Sequence, residues 1–325
     1  MKNHFKKLLL MALMAVMAVG LIACGTDKSD NESTKEEKTS VTITSLDASK
    51  NEIELEVPYN PKRIAILDLA SLDIIDELGV GDRVVGMAST SIDYLEKYSN
   101  DASIKNLGTI KEADLEAVME CEPDIIFIGG RLSKSYDALS EIAPVVYLAT
   151  DTNEGLVNSV SKNAKTIASI FGMEDKVDSL MSDFGARIDT IKKISSGKTA
   201  LVGMTTSGSF NLLGNDGRCS LIGVEAGFNN LTAVGSTSTH GNESSFETVV
   251  QQNPDYIFVM DRDSAISTAG AKTAKEIVEN ELVKTTDAYK NNHIIYLEHS
   301  NVWYTAEGGI QALDIMLKDL EKGLK

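Results

Sequence analysis

The sequence predicts an α/β protein of two lobes, each on a mostly parallel sheet, joined by one long rigid helix. Three observations carry that reading. Short apolar runs alternate with helical apolar periods in both halves of the chain. A helical stretch inside a proline-free span, 145–253, separates the halves. And the segment 115–131 recurs, recognisably, as 246–262.

The chain opens with Lys2, Lys6 and Lys7, then an unbroken run of apolar and small residues from Leu8 to Ala23. A run of that length, charged on one side only, reads as a signal peptide, residues 1–23, and not as a membrane-spanning helix. It closes on Leu21-Ile22-Ala23-Cys24-Gly25, which is similar to the lipobox of bacterial lipoproteins. That similarity implies cleavage before Cys24 and a lipid on its sulfur; the alternative is a secretory peptide followed by an accidental cysteine. Residues 24–41 are charged, Ser/Thr-rich and nearly free of apolar side chains, too poor in hydrophobic surface to fold. They are expected to be a disordered tether, with a reach of roughly 20 Å.

The formal net charge is −17, and removing the three lysines of residues 1–23 leaves −20. So acidic a chain is a poor ligand for nucleic acid or an anionic membrane surface. Besides Cys24 only Cys121 and Cys219 remain, either free or paired; two cysteines give no zinc-site spacing.

The first lobe is expected over 42–172. Arg63–Leu67 reads as a buried strand, and Leu72, Ile75 and Leu78 then recur at helical spacing up to Gly79, a helix stop. Val84–Met87, Ile125–Ile128 and Val145–Leu148 are further strands. Residues 154–195 are helical in pattern, divided at Gly172. Val177, Leu180, Met181, Phe184, Ile188 and Ile191 keep one period, which predicts a connecting helix over 173–196, about 33 Å long. The second lobe, 197–325, repeats the grammar with strands at Thr199–Met204, Tyr256–Met260 and Ile294–Leu297 and helices over 272–284 and 308–323.

The internal repeat says most about function. Glu116/Glu247, Val118/Val249, Pro123/Pro254, Asp124/Asp255, Ile126/Ile257, Phe127/Phe258 and Arg131/Arg262 match. Each copy is a short helix, a Pro-Asp turn, a buried strand and an arginine just past its C-terminal end. In open α/β sheets that end is where ligands bind, so both arginines should face a shared cleft.

NPKRIAILDLASLDIIDELG (60–79), EPDIIFIGGRLSKSY (122–136), STHGNESSFE (238–247), NPDYIFVMDRDSAI (253–266) and Trp303-Tyr304 together resemble the petrobactin- and catecholate-binding lipoproteins that serve iron–siderophore ABC importers. The resemblance covers the chain from about residue 52. It implies two Rossmann-like lobes with a rigid interlobe helix, the class III periplasmic-binding-protein fold. It further implies a monomer, held at the extracytoplasmic face of the membrane by its lipid, that delivers a ferric siderophore to a permease dimer with its ATPase. Arg131, Arg218 and Arg262 match the arginines around the ferric catecholate. His240 and Tyr304 match residues that complete iron coordination when the ligand leaves sites open. Glu116 and Glu247 match the acidic residues that dock on the permease. Cys219 after Arg218, the Thr305-Ala306-Glu307 stretch and Gly129-Gly130 before Arg131 depart from the pattern and bear on which ligand is bound.

The chemistry agrees with that implication. A ferric tris-catecholate carries about three negative charges, and arginine offers an always-charged, planar, weakly hydrated fork of donors. Phenolate and imidazole are reasonable complements for hard Fe(III). Plainer roles exist for each residue: a solvated arginine, a loop histidine, a packing tyrosine, a glutamate complementing a helix dipole. Trp303 reads as core or cleft rim, and His293 and His299 as structural. Enzyme motifs fail: Ser196-Gly197-Lys198-Thr199 lacks the glycine of a phosphate loop and precedes its strand, and no G-x-S-x-G or H-E-x-x-H is present. No intrinsic cofactor is expected. The alternatives are a haem or cobalamin binder of the same class, or a surface hydrolase or adhesin.

Overall fold

The computed structural model describes residues 38–233 and 237–325. The expected signal peptide, Cys24 and nearly all of the expected tether lie outside the described residues. Among those described, no helix is long and apolar enough to cross a membrane.

Order begins earlier than composition suggests. Strands β1 (Ser40–Leu46) and β2 (Glu52–Pro58) form an antiparallel hairpin in which Val41 faces Val57 and Ile43 faces Leu55. Averaging over 24–41 hides the period-two alternation that starts at Val41 and buries Ile43 and Val57. The bound expected at residue 41 therefore falls inside β1.

The first lobe then follows with β3 (Ile64–Leu67), α1 (Leu69–Glu77), β4 (Val84–Met87), β5 (Lys105–Asn106), α2 (Leu115–Glu120), β6 (Ile125–Ile128) and β7 (Val145–Tyr147). Its sheet is wholly parallel, in the order β5-β4-β3-β6-β7. β3 and β6 are buried along their whole length, which is why they read as continuous apolar runs. Asp68 caps α1 by accepting from Ser71 N–H, and Gly79, at φ +74°, ends it.

Three helices lead to the second lobe: α3 (Leu156–Phe171), α4 (Glu174–Leu180) and α5 (Phe184–Ser195). The single helix expected over 173–196 is interrupted. Gly172 takes the left-handed conformation at the end of α3, and Met181–Asp183 form a turn between α4 and α5. The apolar period survives the turn because Met181 and Asp183 keep near-helical dihedrals while the i→i−4 ladder loosens.

In the second lobe come β8 (Thr199–Thr206), β9 (Ser209–Leu213), β10 (Asn229–Asn230), β11 (Asn242–Glu243), α6 (Phe246–Gln252), β12 (Tyr256–Asp261), α7 (Arg262–Ala265), β13 (Ile294–Tyr296), α8 (Ser300–Thr305) and α9 (Ile310–Gly323). The sheet order is β11-β9-β8-β12-β13, with β10 also on β8; β9 and β11 run antiparallel to their neighbours. The helix expected over 272–284 shrinks to Ala274–Val278, opened by a Thr273/Glu276 capping box, with a separate 3-10 turn at Val283–Thr285. Asn280 breaks it: its side chain accepts from the N–H groups of Leu282 and Val283.

One apolar core runs through both lobes. It joins Leu72 and Ile75 of α1, Ile167 of α3, Ile188 of α5, Val202 of β8 and Leu313 and Leu317 of α9. The outer faces of the two sheets close over separate, smaller cores. The last helix is thus shared property. Buried Asp73 of α1 accepts from the N–H groups of Gln311 and Ala312 at the start of α9, both at 2.9 Å, and from the Tyr94 hydroxyl at 2.6 Å. Gly309 must lack a side chain, since a Cβ there would sit 2.3 Å from Asp73 Oδ2. Arg187 of α5 ties the same helix through Asp314 and Glu321. A chain sequence-adjacent to one lobe therefore braces the other, and hinging must break this cap or bend the shared core.

Candidate functional site

The strand orders place the site. In the first sheet the strand order reverses between β3 and β6; in the second, β9 and β12 lie on opposite sides of β8. Ligands of open α/β sheets sit beyond the strand ends at such switch points. Asp68 and Gly129–Arg131 follow β3 and β6; Thr206 and Arg262 end β8 and follow β12.

The two arginines and a third meet there. The guanidinium carbon of Arg218 lies 4.4 Å from the centre of the Tyr304 ring, that of Arg131 5.4 Å and that of Arg262 5.7 Å. Arg131 Nη2 also donates to the Tyr304 carbonyl at 2.9 Å, and Arg262 Nε to its hydroxyl at 3.2 Å. Arg262 is further held by Thr206 Oγ1 at 3.1 Å and Asp263 at 3.3 Å, and Arg218 Nη1 donates to the Thr239 carbonyl at 2.6 Å. A ring face attracts each cation modestly, on the order of 1 kcal/mol. Three like charges around one ring repel one another, so the arrangement favours an anion of high charge.

Tyr304 itself is buried. Burial pushes its phenol up, but the Arg262 hydrogen bond and the three cations more than reverse this, and it ionises below the ordinary tyrosine range. His240 is exposed on its loop. Desolvation, then Arg262, Arg218, Lys111 and Arg131, lower its pKa, so the neutral, metal-competent imidazole is favoured. Of the expected set, Arg131, Arg218 and Arg262 are brought together on Tyr304, while His240 stays on the neighbouring loop, next to Thr239, whose carbonyl holds Arg218. A cavity of about 440 Å³ opens there between Asp68, Gly129, Arg131, Arg218, Tyr304 and Glu307.

Glu116 and Glu247 stand apart from it. Both are exposed, each the second residue of its helix, behind the capping residues Asp114 and Ser245. Trp303 belongs to the core: it is fully buried and donates to Asp319 Oδ2 at 2.9 Å. His299 pairs with the same carboxylate at 2.7 Å, and His293 stacks on Tyr256, both as structural residues. Cys121 and Cys219 are free and buried, not paired.

Asp68 and Thr206 were not singled out in the sequence. Their signal is positional: each stands at the C-terminal end of the first strand of its sheet, one lobe's counterpart to the other. Asp68 also explains Gly129, because a Cβ there would lie 2.4 Å from its Oδ1.

A bilobal α/β fold with a cationic cleft at both switch points is the architecture of a solute-binding protein of the class III fold. The chain belongs to the periplasmic binding protein family, whose description matches residues 64–300. It is 36% identical over 330 residues to the petrobactin-binding protein YclQ of Bacillus subtilis (strain 168), covering 98% of this chain and 99% of that one. The YclQ crystal structure superposes with a TM-score of 0.81 over 88% of this chain and 99% of that one. The periplasmic catecholate-siderophore binding protein VctP of Vibrio cholerae is 31% identical, with a TM-score of 0.78 over 87% of this chain and all of that one. BauB, solved with a complex of two acinetobactin molecules and ferric iron, is 27% identical, with a TM-score of 0.76 over 88% of this chain and 99% of that one.

Proposed function

We propose that this protein is the lipid-anchored, extracytoplasmic binding component of an ABC importer and captures a ferric siderophore of the catecholate type, petrobactin-like, in the interlobe cleft. The observation that carries the reading is the convergence of Arg131, Arg218 and Arg262, from both lobes, on Tyr304 in a chain of net charge −17. The names of YclQ and VctP support the ligand class. In this reading the arginines hold the anionic chelate by charge-assisted hydrogen bonds. Tyr304 and His240 enter the iron coordination shell only where the siderophore leaves positions open. Glu116 and Glu247 dock on the permease, Cys24 carries the lipid, and the protein acts as a monomer without catalysis. Closure on the ligand is small, because the lobes share a core.

Fluorescence quenching tests it, with the purified protein in detergent titrated separately with a ferric catecholate, a ferric hydroxamate and cobalamin. Tight quenching by the catecholate alone is expected. Tight binding of either other ligand with none of the catecholate sinks the reading. Charge reversal at Glu116 and Glu247 should abolish iron uptake by cells while leaving the Kd for the catecholate within about twofold; uptake that persists removes the docking role.

A further inference from the structure

The arginine cleft is not the largest cavity beside these residues. A second one, about 620 Å³, runs behind it between the β1–β2 hairpin, the segment after β7 and the turn at 216–220. The two share Lys50, Leu148, Ala149, Thr150, Arg218 and Glu307, so they are compartments of one space.

Their charges differ in sign. The first compartment is lined by Lys50, Arg131 and Arg218 against Asp68 and Glu307. In the second, leaving Arg218 with the first, Glu52, Asp151, Glu154, Asp216 and Glu307 face only Lys50 and Lys162. Lys162 is already within reach of Glu52 at 3.8 Å and Glu154 at 3.5 Å. Asp216 is turned to the neighbouring loop, where it accepts from Thr237 N–H at 2.7 Å.

Glu307 stands at the junction. It is half-buried, and one oxygen accepts from Cys219 N–H at 3.0 Å. Among the described residues no cation lies within ion-pair distance of it, and its second oxygen has no hydrogen-bond partner. Burial, with a smaller push from Glu225, raises its carboxyl to about 7, against the pull of Arg218, the Cys219 N–H and Arg131. A half-buried carboxylate with cations near it but none in ion-pair contact is costly, and what would relieve it is a cation brought in from outside.

We propose that Glu307 and the cavity behind it form a second ligand subsite, which takes a protonated-amine arm of a siderophore whose anionic chelate rests on the arginines. This rests on the siderophore reading above and extends it: the preferred cargo is bipolar, with an anionic head and a cationic tail.

Two synthetic ferric tris-catecholates with the same head test it, one bearing a pendant primary amine, the other its acetamide. Affinities are measured by fluorescence quenching with the wild type and with Glu307→Gln. The expected result is a preference for the amine of about tenfold at pH 8, equivalent to ~1.4 kcal/mol, falling to near unity in Glu307→Gln. On the wild type alone the preference should grow from pH 6 to pH 8: the amine stays protonated while Glu307, neutral below about 7, ionises above it. This second measurement holds even if the variant folds poorly. Equal affinity of the wild type for both complexes, a preference that survives Glu307→Gln, or a flat pH profile overturns the subsite. Binding of neither complex overturns the siderophore reading instead, a separate and distinguishable failure.

Discussion

Arg131 and Arg262 descend from the same sequence grammar, a helix, a Pro-Asp turn, a buried strand and an arginine, yet the two lobes hold them differently. Arg262 opens a helix capped by Asp261 and is braced within its own lobe by Thr206, Asp263 and the Tyr304 hydroxyl. Arg131 follows two glycines into a 3-10 turn, and the hydrogen bond that fixes it, to the Tyr304 carbonyl, reaches across the cleft. One lobe presents its cation preorganised. The other presents a cation whose position depends on how the lobes sit. Equivalence in sequence has thus produced a fixed jaw and an adjustable one, and preorganisation, not charge, separates them.

The largest effect should come from removing both. Each arginine supplies charge-assisted hydrogen bonds worth roughly 1.5–3 kcal/mol. The Arg131→Ala/Arg262→Ala pair should therefore weaken a ferric catecholate by about 10²–10⁴-fold in a quenching titration. Of the single variants, Arg262→Ala should cost more; equal losses would break the contrast between the jaws. Next in size is Asp73→Ala, which touches no ligand but strands two backbone N–H groups and the Tyr94 hydroxyl in the interior. Calorimetry should show a loss of about 3 kcal/mol and a drop in Tm of roughly 6–10 °C, and catecholate affinity should fall with it if Arg131 depends on lobe position. Tyr304→Phe is smaller. It frees Arg262 from one brace and leaves the carbonyl that holds Arg131, so affinity should fall about 2- to 10-fold.

The same pair of variants sharpens the electrostatics. The absorbance titration of wild type minus Tyr304→Phe should reveal one phenol ionising below the ordinary tyrosine value. The Arg262→Ala background should move that transition upward, because the phenolate loses a donor and a cation. No upward move would mean that Arg262 does not govern Tyr304. The smallest effect is expected at His240. Exposed on its loop, it should change a fully coordinated tris-catecholate by less than about threefold on substitution by alanine, and matter more for a bis-catecholate with open iron positions.

The repeat was legible because β6 and β12 are buried on both faces and announce themselves as apolar runs after a Pro-Asp turn. The switch-point arginines followed from it by geometry alone. Arg218, His240 and Tyr304 could be placed only by resemblance, since they come from two loops and a short helix whose arrangement is set by tertiary packing. The connecting helix was legible in its apolar period and not in its break, because Met181 stays apolar and near-helical while the hydrogen-bond ladder opens around it. The hairpin of β1 and β2 alternates plainly, Ile53, Leu55 and Val57 against Glu52, Glu54 and Glu56, but its first strand begins inside a stretch whose average composition is that of a tether. Asp73 carried no signal at all: a helix aspartate looks like surface until the last helix of the chain is laid on it.

That last contact bears on the order in which the molecule can be made. The face of α1 built from Leu72, Ile75 and Asp73 belongs to the first quarter of the chain, and its cover is the fourteen-residue helix Ile310–Gly323. A ribosome, or a translocation pore, delivers that helix long after α1, with the remaining strands of both sheets in between. Until then the first lobe has an open seam and a buried-to-be carboxylate still in water, so it has no complete native state to fall into. The seam over α1 closes only once Ile310–Gly323 has emerged and can dock on it.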